Sequence, residues 1–308
     1  TATNASGTNT LSGSGVTNSS VNFVGNFNGA GSTLNVSASG NGTITQTGTT
    51  GLITAGRVNF TTAGGRIGDS GSELLTSAQF VNLTTNGTGD AFVNTNTNSV
   101  FTTSGAGVNN LVLTETGNGQ QLTVGQIGSP INANGSVQLL AGAGTSAKIN
   151  IESNVNSPSN TITVTTNGTG VITRGANSGG AGLGILNGNR VYLITGGGNI
   201  GTSTDAVYVE TPYVLAQTNG TGDTYIRNYA SGSITTSDTA PTVGSVRELQ
   251  YSTVNLAGGT TTATVGQLGI NATGNVLIEA ANLAGVGTVG SIDIQHHIDA
   301  GSNTVTLK

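Results

Sequence analysis

The chain has 308 residues and a sparse, acidic set of charges: 8 Lys plus Arg, 13 Asp plus Glu, and a net charge of −5. So few basic residues, with no basic run, argue against a nucleic-acid partner. The absence of cysteine excludes a disulfide framework and a thiolate metal site, and no run of about 18 apolar residues is present to span a membrane.

Short β-strands are predicted along the first half of the chain. Residues 1–31 are rich in Gly, Ser and Asn, with weak strand patterns near Leu11 and over Val21–Val24. From Leu34 onward, β-branched and other apolar residues alternate with polar ones, which is typical of half-buried strands. The predicted strands are Leu34–Val36, Thr43–Thr45, Val58–Thr61, Phe80–Leu83, Ala91–Val93, Val100–Thr102, Leu111–Leu113 and Leu122–Val124.

The second half continues the same pattern, with Gly- and Asn-rich turns between strands. No segment shows a helical period of any length. The predicted strands are Val137–Leu140, Lys148–Ile151, Thr161–Val164, Val171–Thr173, Val191–Ile194, Val207–Val209, Val214–Ala216, Thr224–Ile226, Ser233–Thr235, Val254–Leu256, Ala263–Val265, Val276–Ile278, Ser291–Ile294 and Thr304–Leu307.

A long internal repeat relates the two halves. The segment from Arg57 to Asp90 returns, without a gap, from Arg190 to Asp223, and the five residues ending at Asp90 return unchanged. A repeat of this kind indicates stacked structural units rather than separate globular domains. We therefore predict one continuous β-solenoid over residues 1–308, with internal repeats at about 32–159 and 160–302 and partial copies at 1–31 and 303–308.

The predicted fold class is all-β, a parallel β-helix in which equivalent residues of successive coils stack in ladders. A coil of roughly 20 residues is typical of such solenoids, which predicts about 15 coils. The alternative is an antiparallel sandwich, which would join equal strands by tight two-residue Asn-Gly hairpins.

Neither end of the sequence carries a capping helix or an atypical coil. We therefore expect both ends of the solenoid to be continued, by more of the same polypeptide or by another copy stacked head to tail. Methionine is absent, so we expect a processed chain or a segment of a longer one.

The repeats resemble those of filamentous-haemagglutinin-type exoproteins, which are large bacterial surface adhesins. The resemblance rests on the Gly-Gly-x-Ile-Gly turns at 64–68 and 197–201 and on phrases such as the one from Asn134 to Leu139. It implies a right-handed parallel β-helix, an extracellular or cell-surface location, and the role of a stalk in an adhesin or surface fibre. The Asn-Pro motifs of that family's secretion domain do not occur here.

Two positions are candidate metal ligands. Asp90 and Asp223 occupy the same place in the two repeats, and hard cations such as Ca²⁺ bind carboxylate oxygens. The structural interpretation is that each carboxylate accepts backbone N–H bonds in a turn. His296 and His297 are adjacent, and neighbouring strand residues point to opposite faces, so a shared metal is disfavoured. No other cofactor is expected.

Tyrosines concentrate in the second repeat, where exposed rings would form a glycan-binding face. Phe92 matches Tyr225 between repeats, which indicates that some of these positions belong to the core or to a ladder. The candidate ligand-binding residues are Tyr208, Tyr213, Tyr225 and Tyr229.

A polysaccharide-degrading enzyme on a β-helix would need clustered carboxylates or a basic residue in a groove. Asp205, Glu210 and Asp238 are predicted to lie in different coils. We therefore expect a non-catalytic protein, a stiff extracellular rod that spaces or builds a bacterial fibre. The alternatives are a carbohydrate-binding stalk and a polysaccharide-degrading enzyme.

Overall fold

The regular structure described in the computed structural model is β-strand. No helix occurs in the residues that the structure describes, which are 2–3, 7–13, 15, 17–48, 51–142, 146–175, 184–211, 213–228, 234–235, 270–271, 274–280, 292–293 and 298–307.

The strands are numbered in chain order. They are β1 (Ala2–Thr3), β2 (Thr8–Ser12), β3 (Val21–Phe23), β4 (Phe27–Ala38), β5 (Ile44–Gln46), β6 (Ile53–Thr62), β7 (Leu74–Thr84), β8 (Ala91–Thr95), β9 (Ser99–Thr103), β10 (Leu111–Glu115), β11 (Gln121–Val124), β12 (Ile131–Asn132), β13 (Val137–Ala141), β14 (Lys148–Ile151), β15 (Val155–Thr166), β16 (Ile172–Arg174), β17 (Ile185–Thr195), β18 (Val207–Glu210), β19 (Tyr213–Thr218), β20 (Thr224–Asn228), β21 (Ile234–Thr235), β22 (Ile270–Asn271), β23 (Val276–Ala280), β24 (Ile292–Asp293), β25 (Ile298–Asp299) and β26 (Val305–Leu307).

Every pairing between these strands is parallel, and each strand pairs with one a coil earlier or later. In the ladder that we call ladder A, Leu34 pairs with Val58 and Val58 with Val81. Val81 then pairs with Phe101, and Phe101 with Val124. This is the parallel β-solenoid that the sequence predicted, and it excludes the antiparallel sandwich. Antiparallel bridges are confined to isolated pairs such as Asp69 with Ser72.

A second ladder, ladder B, alternates with ladder A along the chain. It runs from β3 through β5 to Ile67, and then through β8, β10, β13 and the C-terminal halves of β15 and β17 to β19. From Val21 to Thr218 this ladder has nine rungs, so the chain completes about eight turns. At about 4.8 Å per turn, that part of the solenoid is about 40 Å long.

The coils are longer than the roughly 20 residues that the sequence predicted. The step between paired residues is 20 from Val81 to Phe101 but 29 from Ile162 to Val191. Part of the extra length lies in short excursions from the coil, such as the turn from Gln126 to Ser129, whose two ends hydrogen-bond to each other. Such excursions lengthen a coil without disturbing the strands on either side.

The two copies of the sequence repeat lie on different ladders. Val58 belongs to ladder A, whereas its equivalent Val191 belongs to ladder B. Between them the chain passes five further rungs of ladder A and then crosses to ladder B, so the repeat spans five and a half coils. A half-integral number of coils places each repeated strand on the opposite ladder.

One continuous apolar core fills the interior of the coils. Successive inward-facing residues of ladder A, such as Leu34, Val58 and Val81, are fully buried, and the burial pattern of most strands alternates as their sequences do. Among the described residues, two smaller clusters lie outside this core, one of Tyr192, Ile194 and Leu215 and one built around Ile185 and Tyr208.

A threonine–glycine contact closes the corner after many long strands. At each of these corners a buried threonine ends the strand or directly follows it, and its hydroxyl donates to the carbonyl oxygen of a glycine three or four residues later. The pairs are Thr62–Gly65, Thr85–Gly89 (2.6 Å), Thr166–Gly170 (2.8 Å), Thr195–Gly198 (2.6 Å) and Thr218–Gly222 (3.2 Å). The hydroxyl supplies a donor to a carbonyl oxygen in a buried corner, and at Gly89 it adds to the backbone N–H of Asn109 (2.8 Å), which donates to the same oxygen.

We expect Thr85→Val to lower the free energy of unfolding by about 1 kcal/mol, because the Gly89 carbonyl oxygen loses the hydroxyl donor and keeps only the backbone N–H of Asn109. The matched control is Thr61→Val on the exposed face of β6, for which the change should stay within about 0.5 kcal/mol. Urea unfolding followed by circular dichroism measures both, and equal effects would show that the corner contact contributes nothing.

Candidate functional site

Asp90 closes a corner between two coils. Its Oδ1 accepts hydrogen bonds from the backbone N–H of Asn110 (3.0 Å) and from the side-chain amides of Asn109 (2.8 Å) and Asn110 (3.0 Å). Asn110 in turn accepts the backbone N–H of Ser136 on the next coil. The Asp90 carboxylate therefore holds the entry to a ladder B strand, as the turn interpretation of its sequence predicted.

Asp223 does the same on the other side of the solenoid. It donates its backbone N–H to Asn199 (2.9 Å) and accepts the N–H of Asn275 (2.6 Å). Asn275 then accepts the N–H of Thr304 (3.1 Å). The result is a row of Asn and Asp side chains along successive coils, in which each side chain accepts a hydrogen bond from the backbone of an adjacent coil.

The hydrogen bonds of Asp90 and Asp223 do not test directly whether these carboxylates bind calcium. Within the described ranges, no group of three or more Asp, Glu, His or Cys side chains lies close enough to hold a metal ion. Calcium binding at Asp90 or Asp223 therefore stays a hypothesis, and His296 and His297 lie outside the described residues.

Replacement of Asp90 by Ala should lower the free energy of unfolding by about 1–2 kcal/mol, since three donors lose their acceptor. Asp90→Asn keeps a side-chain oxygen and should lose less. Both are measured by urea unfolding with and without millimolar calcium. We expect calcium to leave the parent midpoint unchanged, and a calcium-dependent rise that disappears in Asp90→Asn would establish a metal site instead.

Tyr208 lies between two arginines rather than in solvent. The residue is 8% exposed. The Arg174 guanidinium carbon lies 3.8 Å from the ring centroid, that of Arg227 lies 5.4 Å away, and Arg227 donates to the Tyr208 hydroxyl (3.2 Å). Arg174 also pairs with Asp205. The contacts of Tyr208 with the two arginines stabilise the outer surface of the coil. A tyrosine that stacks on a sugar needs an exposed ring, whereas Tyr208 is buried.

Tyr213 and Tyr225 are only partly exposed. Burial raises the pKa of the Tyr225 hydroxyl, and the nearby charge of Asp223 and the hydrogen bond that the hydroxyl donates to it (3.2 Å) raise it further. Tyr213 packs beside Arg190, with 5.3 Å between the guanidinium carbon and the ring centroid. The equivalent pair in the first repeat, Arg57 and Phe80, is 4.7 Å apart.

These contacts mark repeated structural positions. Tyr229 and Asp238 lie outside the described residues. The remaining carboxylates considered for catalysis are placed in different ways, since Asp205 is ion-paired and Glu210 is exposed at the end of β18. In the described part of the chain, Asp205 and Glu210 do not form a pair of acid and base groups.

Glu115 is a buried carboxyl that the sequence interpretation missed. It occupies an inward-facing position of ladder B, in register with Thr95 and Ala141, and its side chain is fully buried. One oxygen accepts the N–H of Gly117, whereas Oε2 has no hydrogen-bond partner. Burial raises the pKa of Glu115 from 4.5 to about 7. The signal was present, since Leu111, Leu113 and Glu115 share one face by alternation.

No protein-family model matches this chain, and neither a curated protein nor a solved structure similar to it was found. The structure shows a parallel β-solenoid, and the sequence contains an internal repeat. Among the described residues, no helix has the length and apolar character required to cross a membrane.

Proposed function

We propose that this β-solenoid is a non-catalytic shaft, a stiff segment of a bacterial surface fibre or adhesin outside the cell. The observation that supports the proposal is the continuous parallel pairing along ladders A and B, in which adjacent described coils are joined by backbone bonds, apolar stacks and corner side chains. Such a structure resists bending and offers few segments that open locally. The resemblance of the repeats to haemagglutinin-type exoproteins supports the extracellular role.

Side-chain ladders on the outer surface add to this stiffness. The Asn59 amide donates to the Asn35 side chain (2.7 Å), and Asn156 donates to Asn132 in the same way (2.9 Å). Neutral ladders of this kind bind each coil to the next without the repulsion that stacked like charges would produce. A low-charge surface is therefore compatible with a long stack.

The terminal described rungs leave inward-facing apolar side chains accessible. Leu11 on β2 is 37% exposed, and Val305 and Leu307 on β26 are 40% and 43% exposed. Each residue pairs in register with a buried residue of the neighbouring coil. In this proposal, the two terminal rungs stack on further repeats or on another copy of the chain, and this stacking would bury their exposed apolar side chains.

Negative-stain electron microscopy and limited proteolysis test the shaft. We expect straight rods of constant width that lengthen with protein concentration, and resistance of residues 51–142 to trypsin and chymotrypsin. Compact round particles, or rapid cleavage within that range, would contradict the proposal. Cleavage of pectin or alginate by the purified chain would favour the enzyme alternative.

A further inference from the structure

We propose that a groove on the outer face of ladder B, formed where β8, β10 and β13 lie side by side, binds a neutral oligosaccharide. The groove has a volume of about 270 Å³ and follows successive coils. Its outer side chains stack in register, with Val112 paired to Phe92 on one side and to Gln138 on the other. A shaft needs no such site, so the inference goes beyond the function proposed above.

The chemistry of the lining favours a sugar. Phe92 and Val112 are half-exposed and form an apolar floor, and Gln138 is exposed beside them. Hydroxyl and amide groups of Asn110, Ser136 and Thr161 line the groove. An aromatic ring with neutral donors and acceptors around it suits a pyranose, which has an apolar face and hydroxyls at its edge.

Charge selects among ligands. None of the described residues that line the groove is charged, so nothing there would compensate an acidic sugar or a phosphate. Asn110 is already oriented, because its amide donates to Asp90 and its oxygen accepts the N–H of Ser136. The groove is therefore partly pre-formed, which reduces the ordering that binding requires.

An extended peptide is a poorer occupant. β8, β10 and β13 each pair with a strand on both sides, so no free strand edge is available for a peptide to extend the sheet. Recognition must then come from side chains alone, which is how a glycan with its own hydroxyls would be held.

Isothermal titration with neutral hexasaccharides (cello-, malto- and mannohexaose) and with an acidic heparin-derived hexasaccharide tests the site. We expect one neutral sugar to bind, Phe92→Leu to weaken it at least tenfold, and Gln138→Ala to weaken it severalfold. The control is Phe80→Leu, a half-exposed aromatic on ladder A that packs against Arg57 and should leave the affinity unchanged.

Absence of binding by every neutral sugar would overturn the proposal. Preferential binding of the acidic sugar, an equal loss in Phe80→Leu, or competition by an extended peptide would overturn it as well. If Phe92→Leu fails to fold, Gln138→Ala decides alone, because Gln138 is exposed. A loss of sugar binding only in Tyr213→Leu would place the site on the tyrosines instead. None of these outcomes depends on whether the chain forms filaments.

Discussion

The Gly89→Ala variant should unfold at a much lower urea concentration than the parent chain, with a loss of about 3 kcal/mol in the free energy of unfolding. A Cβ at Gly89 would lie 2.0 Å from the carbonyl oxygen of Gly65, and one at Gly65 would lie 2.0 Å from that of Gly42. The three glycines form a column at one corner of successive coils. Because the obstacle is backbone, a flexible side chain cannot move aside to relieve it.

The matched control is Gly25→Ala. A Cβ there meets no atom within 4 Å, and the backbone does not require a positive φ. The free energy of unfolding should therefore stay within about 0.5 kcal/mol of the parent value, or rise slightly because the unfolded chain loses entropy. If Gly89→Ala were as stable as Gly25→Ala, coils would not approach each other as closely at this corner as the structure shows.

Glu115 should make the protein less stable as the pH rises from about 4.5 to about 7. The folded state holds the Glu115 proton up to a pKa of about 7, whereas the unfolded chain releases it near 4.5. The folded state thus binds more protons in this window, so the free energy of unfolding falls with pH. Above pH 7 the penalty is complete, at about 3 kcal/mol, and below pH 4.5 it is absent.

The Glu115→Gln variant tests this effect, since glutamine is neutral at every pH and has a similar shape. It should match the parent chain near pH 4 and be more stable at pH 8, with a flatter dependence between them. Glu210→Gln, at an exposed position, should leave the dependence unchanged. The neighbours in register, Thr95 and Ala141, carry no charge, so a pH profile that is identical in the parent chain and in Glu115→Gln would contradict the burial of this carboxyl.

The fold class was predictable because apolar residues alternate strictly where a strand has one face in the core. Leu34 and Val36 illustrate this, since both are buried while the residues between and around them are not. The strand lengths were harder to predict. β4 begins at Phe27 and β6 at Ile53, and their first halves include glycines that weaken the strand pattern. Backbone pairing between coils holds these residues extended in spite of their low strand propensity.

The placement of the repeats could not be predicted from sequence alone. Similar residues at Val58 and Val191 suggested equivalent places, yet they lie on different ladders. The lengths of the intervening coils decide on which ladder a repeated residue lies. Coil length in turn depends on turns such as that from Asp69 to Ser72, which do not alter the strand pattern. A sequence period shows that a unit recurs, but it does not show how many coils separate the copies.

The sequence predicted the surroundings of some candidate residues but not of others. The turn interpretation of Asp90 agrees with the backbone N–H of Asn110 that its carboxylate accepts (3.0 Å), whereas calcium binding at Asp90 stays a prediction. The environment of Tyr208 depends on Arg174 and Arg227, which are distant in sequence and meet it only through the coil geometry. Long-range contacts of this kind leave no local pattern to detect.

Electron paramagnetic resonance of nitroxide pairs tests the parallel stacking most directly, because the chain has no cysteine of its own. Labels at Asn59→Cys and Asn82→Cys occupy paired positions on adjacent rungs, about 5 Å apart at the backbone. We expect strong dipolar broadening for this pair and weaker broadening for Asn35→Cys with Asn82→Cys, two rungs apart. Spectra of the adjacent pair that equal the sum of the two singly labelled chains would show that these coils do not stack in register.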